Sequence, residues 1–305
     1  MARKTLIVVV GPTAVGKTGL AIRLAIHFQT EIVSADSRQI YKELEVGTAK
    51  PLPDELNAVK HHFINTKSVE EEYDAGTYGL EASQVIDSLF KQHDLVILCG
   101  GSGLYVKSII EGFDDLPEIP DTVRKQVRQE YDSKGLSWLQ QEVALQDPEY
   151  YEVVDRKNPQ RLMRALEVIR GSGQPFSGYH SKNKADLPFD VLKIGLELER
   201  PVLYEKIDNR MDEMIRNGLF EEAERFFNQR HLNALQTVGY REIFGFLEGA
   251  YGKEEAIRLL KRNSRHYAKR QLTWFRKDSD IHWFKPDDWQ GIVNYIDSSI
   301  KLKKE

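Results

Sequence analysis

"LIVVVGPTAVGKTGLAIRLA", residues 6–25, runs a short apolar strand into a glycine-bracketed loop and then into a helix rich in alanine and leucine. The loop matches G-x-x-x-x-G-K-[ST] at Gly11, Gly16, Lys17 and Thr18. In such a loop, successive backbone N–H groups and a helix N-terminus form a nest for an anion. Lys17 adds a point charge, and the Thr18 hydroxyl is placed to hold Mg²⁺. The segment Gly11, Pro12, Thr13, Ala14, Val15, Gly16, Lys17, Thr18 is therefore the expected phosphate cradle. ATP is the default occupant of a loop of this kind, and the rest of the chain argues against it.

Working outward, strand and helix alternate through the first hundred residues: "TLIVVV", a helix from about Lys17, "EIVS", then "DLVILC". Alternation of this kind implies a parallel sheet wrapped by helices. "GFDDLPEIP" (112–120) breaks it with prolines and acids, and the chain then reads as purely helical from Asp121 to about Gly171. A second loop, "GSGQPFSGYHSKNKADLP" (171–188), precedes "FDVLKIGLEL", which returns to strand character. The C-terminal third is helical, with one more strand candidate at "IHWF" (281–284). The expected fold is α/β: a P-loop NTPase-like parallel sheet core formed by 1–113 and 189–305, a small helical domain (114–188) inserted into it, and a helical C-terminal region.

Composition sets limits. The chain has 305 residues, ample for a sizeable core, and a formal net charge of −4. Its apolar runs are too short to span a bilayer, and "MARKTLIVVV" shows no signal-peptide pattern. Cys99 is the single cysteine, which excludes an internal disulfide and a cysteine-rich zinc module. The expectation is a cytoplasmic protein. The net charge hides one local asymmetry: Ala256 to Lys277 holds eight Lys or Arg and no acid. Arg258, Arg262, Arg265, Lys269 and Arg276 fall on one stripe of a helix, as a nucleic-acid backbone would require. A solvated helix face is the plainer reading of the same stripe.

Three further stretches carry chemistry. "DLVILC" ends in Gly100-Gly101-Ser102-Gly103, where ATPases of this class usually place a Mg²⁺-binding acid. Asp36 falls just past the end of a strand, where α/β sheets present catalytic groups. It suits either a base or metal ligand, or the cap of a following helix. Arg161 and Arg164 lie one turn apart in "NPQRLMRALEVIRGSG", with Leu162, Leu166 and Ile169 free to pack. His61 and His62 read as structural, because adjacent residues point apart and no ligand cluster surrounds them.

"GPTAVGKT", "DSRQIYKELEVGTAKP", "GGSGLY", "NPQRLMRALEV", "VGYRE" and "RQLTWFR" occur in this order and together resemble the tRNA dimethylallyltransferase, or tRNA isopentenyltransferase, family. The match spans nearly the whole chain. Ser102 departs from the threonine more usual there but keeps the hydroxyl, and the zinc finger of some eukaryotic members is absent. The resemblance implies transfer of a dimethylallyl group from dimethylallyl diphosphate to N6 of the adenosine 3′ to a tRNA anticodon, so that the loop holds diphosphate rather than ATP. It implies Asp36 as the general base, with Lys17, Thr18, Ser102 and Arg210 in the catalytic machinery and Mg²⁺, held by Thr18, as cofactor. It places tRNA contacts at Asp36, Ser37, Arg38, Gln39 and Ser102, and at Gln160, Arg161, Leu162, Met163 and Arg164. Arg262 and Arg265 join them from the basic stripe. Arg210 has an alternative, an intrahelical pair with Asp212 or Glu213. The implied partners are the anticodon stem-loop and dimethylallyl diphosphate, with no membrane, and a monomer is expected. Three other readings of the chain are a transferase for free adenine nucleotides, a small-molecule P-loop kinase and a nucleotide-regulated RNA-binding protein. The basic stripe disfavours the first, and Asp36 beside a phosphate site disfavours the last.

Overall fold

Strand β1 (Thr5–Val10) is buried along its whole length, and its side chains divide by parity. Leu6, Val8 and Val10 enter one hydrophobic core, while Ile7 and Val9 enter a second on the opposite face of the sheet. A strand apolar on both faces belongs at the centre of a parallel sheet. Burying each of these five side chains contributes about 1.5–3 kcal/mol.

The computed structural model, which describes residues 4–113, 116–179 and 186–302, bears this out. After β1 come helix α1 (Lys17–Phe28), β2 (Ile32–Ser34), α2 (Pro53–Ala58), β3 (His61–His62), α3 (Ala75–Leu89), β4 (Leu95–Cys99) and α4 (Gly103–Ile110). Then follow α5 (Asp121–Gln146), α6 (Pro148–Val153), α7 (Pro159–Ser172), β5 (Asp190–Leu196), α8 (Arg200–Arg216) and α9 (Leu219–Arg225). The chain closes with α10 (Tyr240–Leu247), α11 (Lys253–Phe275), β6 (His282–Phe284) and α12 (Trp289–Leu302).

The six strands lie in the order β3-β2-β4-β1-β5-β6, and every pairing is parallel. The register runs Thr5 opposite Leu95 on one side of β1 and opposite Asp190 on the other. All strands therefore end on one edge, and the loops after β1, β2 and β4 meet there. β3 escapes sequence reading because two residues carry no period. Its histidines stay structural: His62 Nε2 lies 2.6 Å from Glu31 Oε2, and His61 Nδ1 lies 2.8 Å from the Val59 carbonyl oxygen.

The chain divides into two compact units, residues 112–185 and the two segments that flank them. The smaller is helical. Its long helix α5 is broken at Gly135, which adopts φ 76° and ψ −173°. Val127, Leu139, Val143, Leu162, Leu166 and Val168 pack into its own core.

Candidate active site

The loop after β1 turns back on itself before α1 begins. Gly16 caps that helix at φ 106°, a left-handed conformation that a side chain would strain. Val15 buries its side chain in the core and anchors the loop from beneath. Lys17 Nζ donates to the Pro12 carbonyl at 2.7 Å, which folds the ammonium over the loop. Burial pulls the Lys17 pKa down to about 8; Arg210 adds to the depression, while Asp36 opposes it.

A cleft of about 800 Å³ opens along the strand ends, and Lys17, Thr18, Asp36, Arg210, Tyr267 and Gln271 all line it. It has the dimensions of a small-molecule site. Arg210, on α8, reaches back to Thr13 Oγ1 at 3.4 Å. Burial lowers its pKa, with the Asp36 carboxylate the larger of the two charges that oppose the shift and Glu213 the smaller. Of the two intrahelical alternatives, Asp212 pairs instead with Lys261 at 2.6 Å, and Glu213 acts on Arg210 as a nearby charge.

Asp36 follows β2. Its Oδ1 accepts from Arg38 N–H at 2.9 Å and Gln39 N–H at 3.3 Å, so it caps a turn rather than a helix. Ser102 is spent on the same loop: its hydroxyl accepts from Ser37 N–H at 3.0 Å and donates to Ser37 Oγ at 3.1 Å. The glycines around Ser102 answer to packing. Side chains at Gly100, Gly101 and Gly103 would collide with the Ala35 backbone, Gln271 and Trp274. Cys99, at the end of β4, also faces the cleft, and burial pushes its thiol up to about 12.

The other expected site residues have these surroundings. Three cations of the basic stripe on α11 are committed to carboxylates, two of them from other elements and one from the helix's own first turn. Arg265 sits on Asp208 at 2.6 Å, Arg276 on Glu197 at 2.8 Å and Arg258 on Glu255. Arg262 donates to Asn263 Oδ1 at 3.1 Å. A separate exposed groove on the same helix is lined by His266, Lys269, Arg270, Thr273, Trp274 and Lys277. Leu162 and Met163 are buried in the smaller unit, whereas Gln160 and Arg161 are exposed. Arg164 is half-buried, 3.5 Å from Glu167. Arg38 donates to the carbonyls of Asn233 and Ala234, and Gln39 to those of Thr48 and Ala49.

Sequence reasoning missed three residues. Tyr267 and Gln271 face the cleft from α11 at helical spacing, a signal overlooked beside the charges between them. Burial raises the Tyr267 phenol to about 12, with Asp36 adding to the shift. Glu222 is 1% exposed, and its carboxylate accepts the N–H groups of Glu45, Val46 and Gly47. It thereby fixes a turn whose residues Glu45 and Val46 line the cleft.

Sheet order, glycine-capped loop and shared cleft together define a P-loop α/β protein. The family described as IPP transferase matches residues 39–278. The tRNA dimethylallyltransferase of Cytophaga hutchinsonii is 49% identical over 298 residues, covering 98% of each chain. Bacteroides fragilis tRNA dimethylallyltransferase 1 is 45% identical over 99% of this chain and 100% of its own. The crystal structure of the tRNA isopentenylpyrophosphate transferase of Bacillus halodurans superposes with a TM-score of 0.74 at 34% identity, covering 99% of this chain and 98% of that one. The chain belongs to the IPP transferase family.

Proposed function

We propose that the protein transfers a dimethylallyl group from dimethylallyl diphosphate to N6 of the adenosine on the 3′ side of a tRNA anticodon, releasing diphosphate. The observation that carries this reading is a single cleft in which Lys17, Thr18 and Arg210 surround the loop while Asp36 faces it. In the step, the allylic C–O bond breaks and its electron pair leaves with the diphosphate. The N6 lone pair forms the new C–N bond, and the N6 proton passes to the Asp36 carboxylate. A carboxylate is a weak base for a neutral adenine amine, but the amine acidifies as the bond forms and a modest base then suffices. Lys17 and Arg210 stabilise the charge that develops on the leaving group. Substrate filling the cleft limits water at the allylic carbon.

Mg²⁺ suits this donor set. It takes hard oxygen ligands and is commonly held by one or two protein groups together with substrate phosphates. Thr18 would hold the ion together with the diphosphate; among the described residues no cluster of three His, Cys, Asp or Glu exists. Bound there, it supplies Lewis-acid neutralisation of the leaving group. Gln160, Arg161 and Arg164 are offered to the tRNA, as are the turn from Asp36 to Gln39 and the exposed cations Lys269, Arg270 and Lys277. The target base leaves the anticodon-loop stack to reach Asp36, at a cost of a few kcal/mol. We take the working unit to be a cytoplasmic monomer. No helix among the described residues is long and apolar enough to cross a membrane.

The deciding experiment incubates the protein with unmodified tRNA and labelled dimethylallyl diphosphate, followed by nucleoside analysis. The expected product is N6-dimethylallyladenosine at one position. Phosphorylation of a small molecule by ATP, with no prenylated nucleoside, overturns the reading.

Lys17 gives this reading a pH signature. Its pKa of about 8 leaves it mostly protonated at neutral pH and mostly neutral above pH 9. Affinity for a non-reactive prenyl diphosphate analogue is expected to fall about tenfold over that interval, following the loss of the competent ammonium form. Titration calorimetry of wild type and Lys17→Met at both pH values checks this, since the ligand's own ionisation is common to the two proteins. A wild-type pH dependence equal to that of Lys17→Met counts against the assignment.

A further inference from the structure

Gln271 is only 6% exposed, and both ends of its amide are occupied. Its Oε1 accepts the Thr13 N–H at 2.8 Å, and its Nε2 donates to the Gly101 carbonyl at 2.9 Å. The residue after Gly101 is Ser102, whose hydroxyl holds the backbone and side chain of Ser37. Ser37 adjoins Asp36. A continuous path thus runs Thr13, Gln271, Gly101, Ser102, Ser37, Asp36, each link a hydrogen bond or a peptide bond. One end of the path is the phosphate loop, and the other is the carboxylate across the cleft.

We propose that Gln271 is a positioning residue that sets the separation between the phosphate loop and Asp36, and so the approach of electrophile to nucleophile. The proposal rests on the prenyl-transfer reading above. A flipped amide would turn its NH₂ toward the Thr13 N–H and its oxygen toward the Gly101 oxygen, leaving buried donors and acceptors unmatched. Only one orientation therefore serves, and the side chain acts as a strut of fixed length on a 23-residue helix. Fixed length matters here because bringing two reactants into a near-attack geometry supplies much of a transfer rate. A misplacement of about 1 Å costs roughly 10²-fold. The Thr13 N–H is also withdrawn from the anion nest, which leaves the amides later in the loop to face the diphosphate.

Gly101 supplies an independent handle on the same link. It has no room for a side chain because a Cβ there would run into Gln271 Nε2. Gln271→Glu keeps the acceptor for Thr13 but sets an oxygen against the Gly101 carbonyl. Gly101→Ala displaces the amide from the other side. Each is expected to lower the saturated single-turnover rate by about 10–100-fold. The KM values for tRNA and dimethylallyl diphosphate should stay within about threefold of wild type, as misalignment without loss of binding requires. The double variant should cost no more than the worse single one, because both break one connection.

Circular dichroism identifies folded variants, and Gly101→Ala carries the test if Gln271→Glu does not fold. Either folded variant at the wild-type rate overturns the proposal, as does a loss confined to KM or strict additivity of the pair. A wild type that transfers no prenyl group overturns the functional reading and this inference together, whereas an active wild type beside an active variant overturns the inference alone.

Discussion

Asp36→Asn is expected to lower the single-turnover rate of prenyl transfer by roughly 10²–10⁴-fold, the usual range for losing a positioned general base, while leaving the melting temperature unchanged. The two halves of this expectation separate because Asp36 has two duties. Its Oδ1 accepts the N–H groups of Arg38 and Gln39, and an amide oxygen accepts them equally well. The turn therefore survives. Removal of the N6 proton does not, because an amide is no base at neutral pH. Binding of tRNA should change less than the rate, since the amide still accepts a hydrogen bond from the adenine amine. Single-turnover kinetics at saturating substrates, run beside a thermal melt of each variant, separate the duties. A variant within threefold of wild type would leave Asp36 with its capping duty alone.

Glu222→Ala is expected to be among the most destabilising single changes in the larger unit. The carboxylate accepts the N–H groups of Glu45, Val46 and Gly47 at 2.8–2.9 Å and the Tyr240 hydroxyl at 2.6 Å. Burial, reinforced by the adjacent carboxylate, keeps the Tyr240 phenol protonated far above its ordinary range. Alanine would take the shared acceptor from all four donors, the buried Tyr240 hydroxyl among them. That loss is worth about 3–5 kcal/mol, or roughly 6–20 °C of melting temperature for a unit of this size. Glu222→Gln keeps one acceptor oxygen and should fall between alanine and wild type. Urea denaturation followed by circular dichroism measures both. A midpoint for Glu222→Ala close to wild type would show that the turn does not depend on this anchor.

The parts of the fold that were legible are those written in contiguous residues. "LIVVV" is apolar at both parities, so a central parallel strand was the only economical home for it, and the loop that follows carries its own conformational signature. The strands at 190–196 and 282–284 were readable for the same reason. Charge commitments were not. The absence of acids between Ala256 and Lys277 suggested free cations, yet Arg265, Lys261 and Arg276 find carboxylates at Asp208, Asp212 and Glu197. Those partners lie tens of residues away and are brought close only by tertiary folding. Leu162 and Met163 show a related limit. Helical periodicity assigns the first to the core but cannot say that the apolar face of α7 is wide enough to take its neighbour as well. Gln271 was invisible for a third reason: an amide inside a charged helix has no sequence signature until its two loops are in place.

The position of β1 also bears on how the molecule comes into being on the ribosome. Its two neighbours are β4, which ends at Cys99, and β5, which begins at Asp190. At about 5–20 residues per second, roughly 5–20 s of synthesis separate the emergence of one neighbour from the other. Throughout that interval the most apolar strand of the chain has one edge bare, the configuration that invites pairing with a foreign strand. The helical unit of 112–185 is made during this wait and has a core of its own. Completion of the sheet then depends on a long-range closure across an already folded insert, a slow kind of step. Chaperone demand during translation should therefore be concentrated before residue 190 and subside once β5 is available.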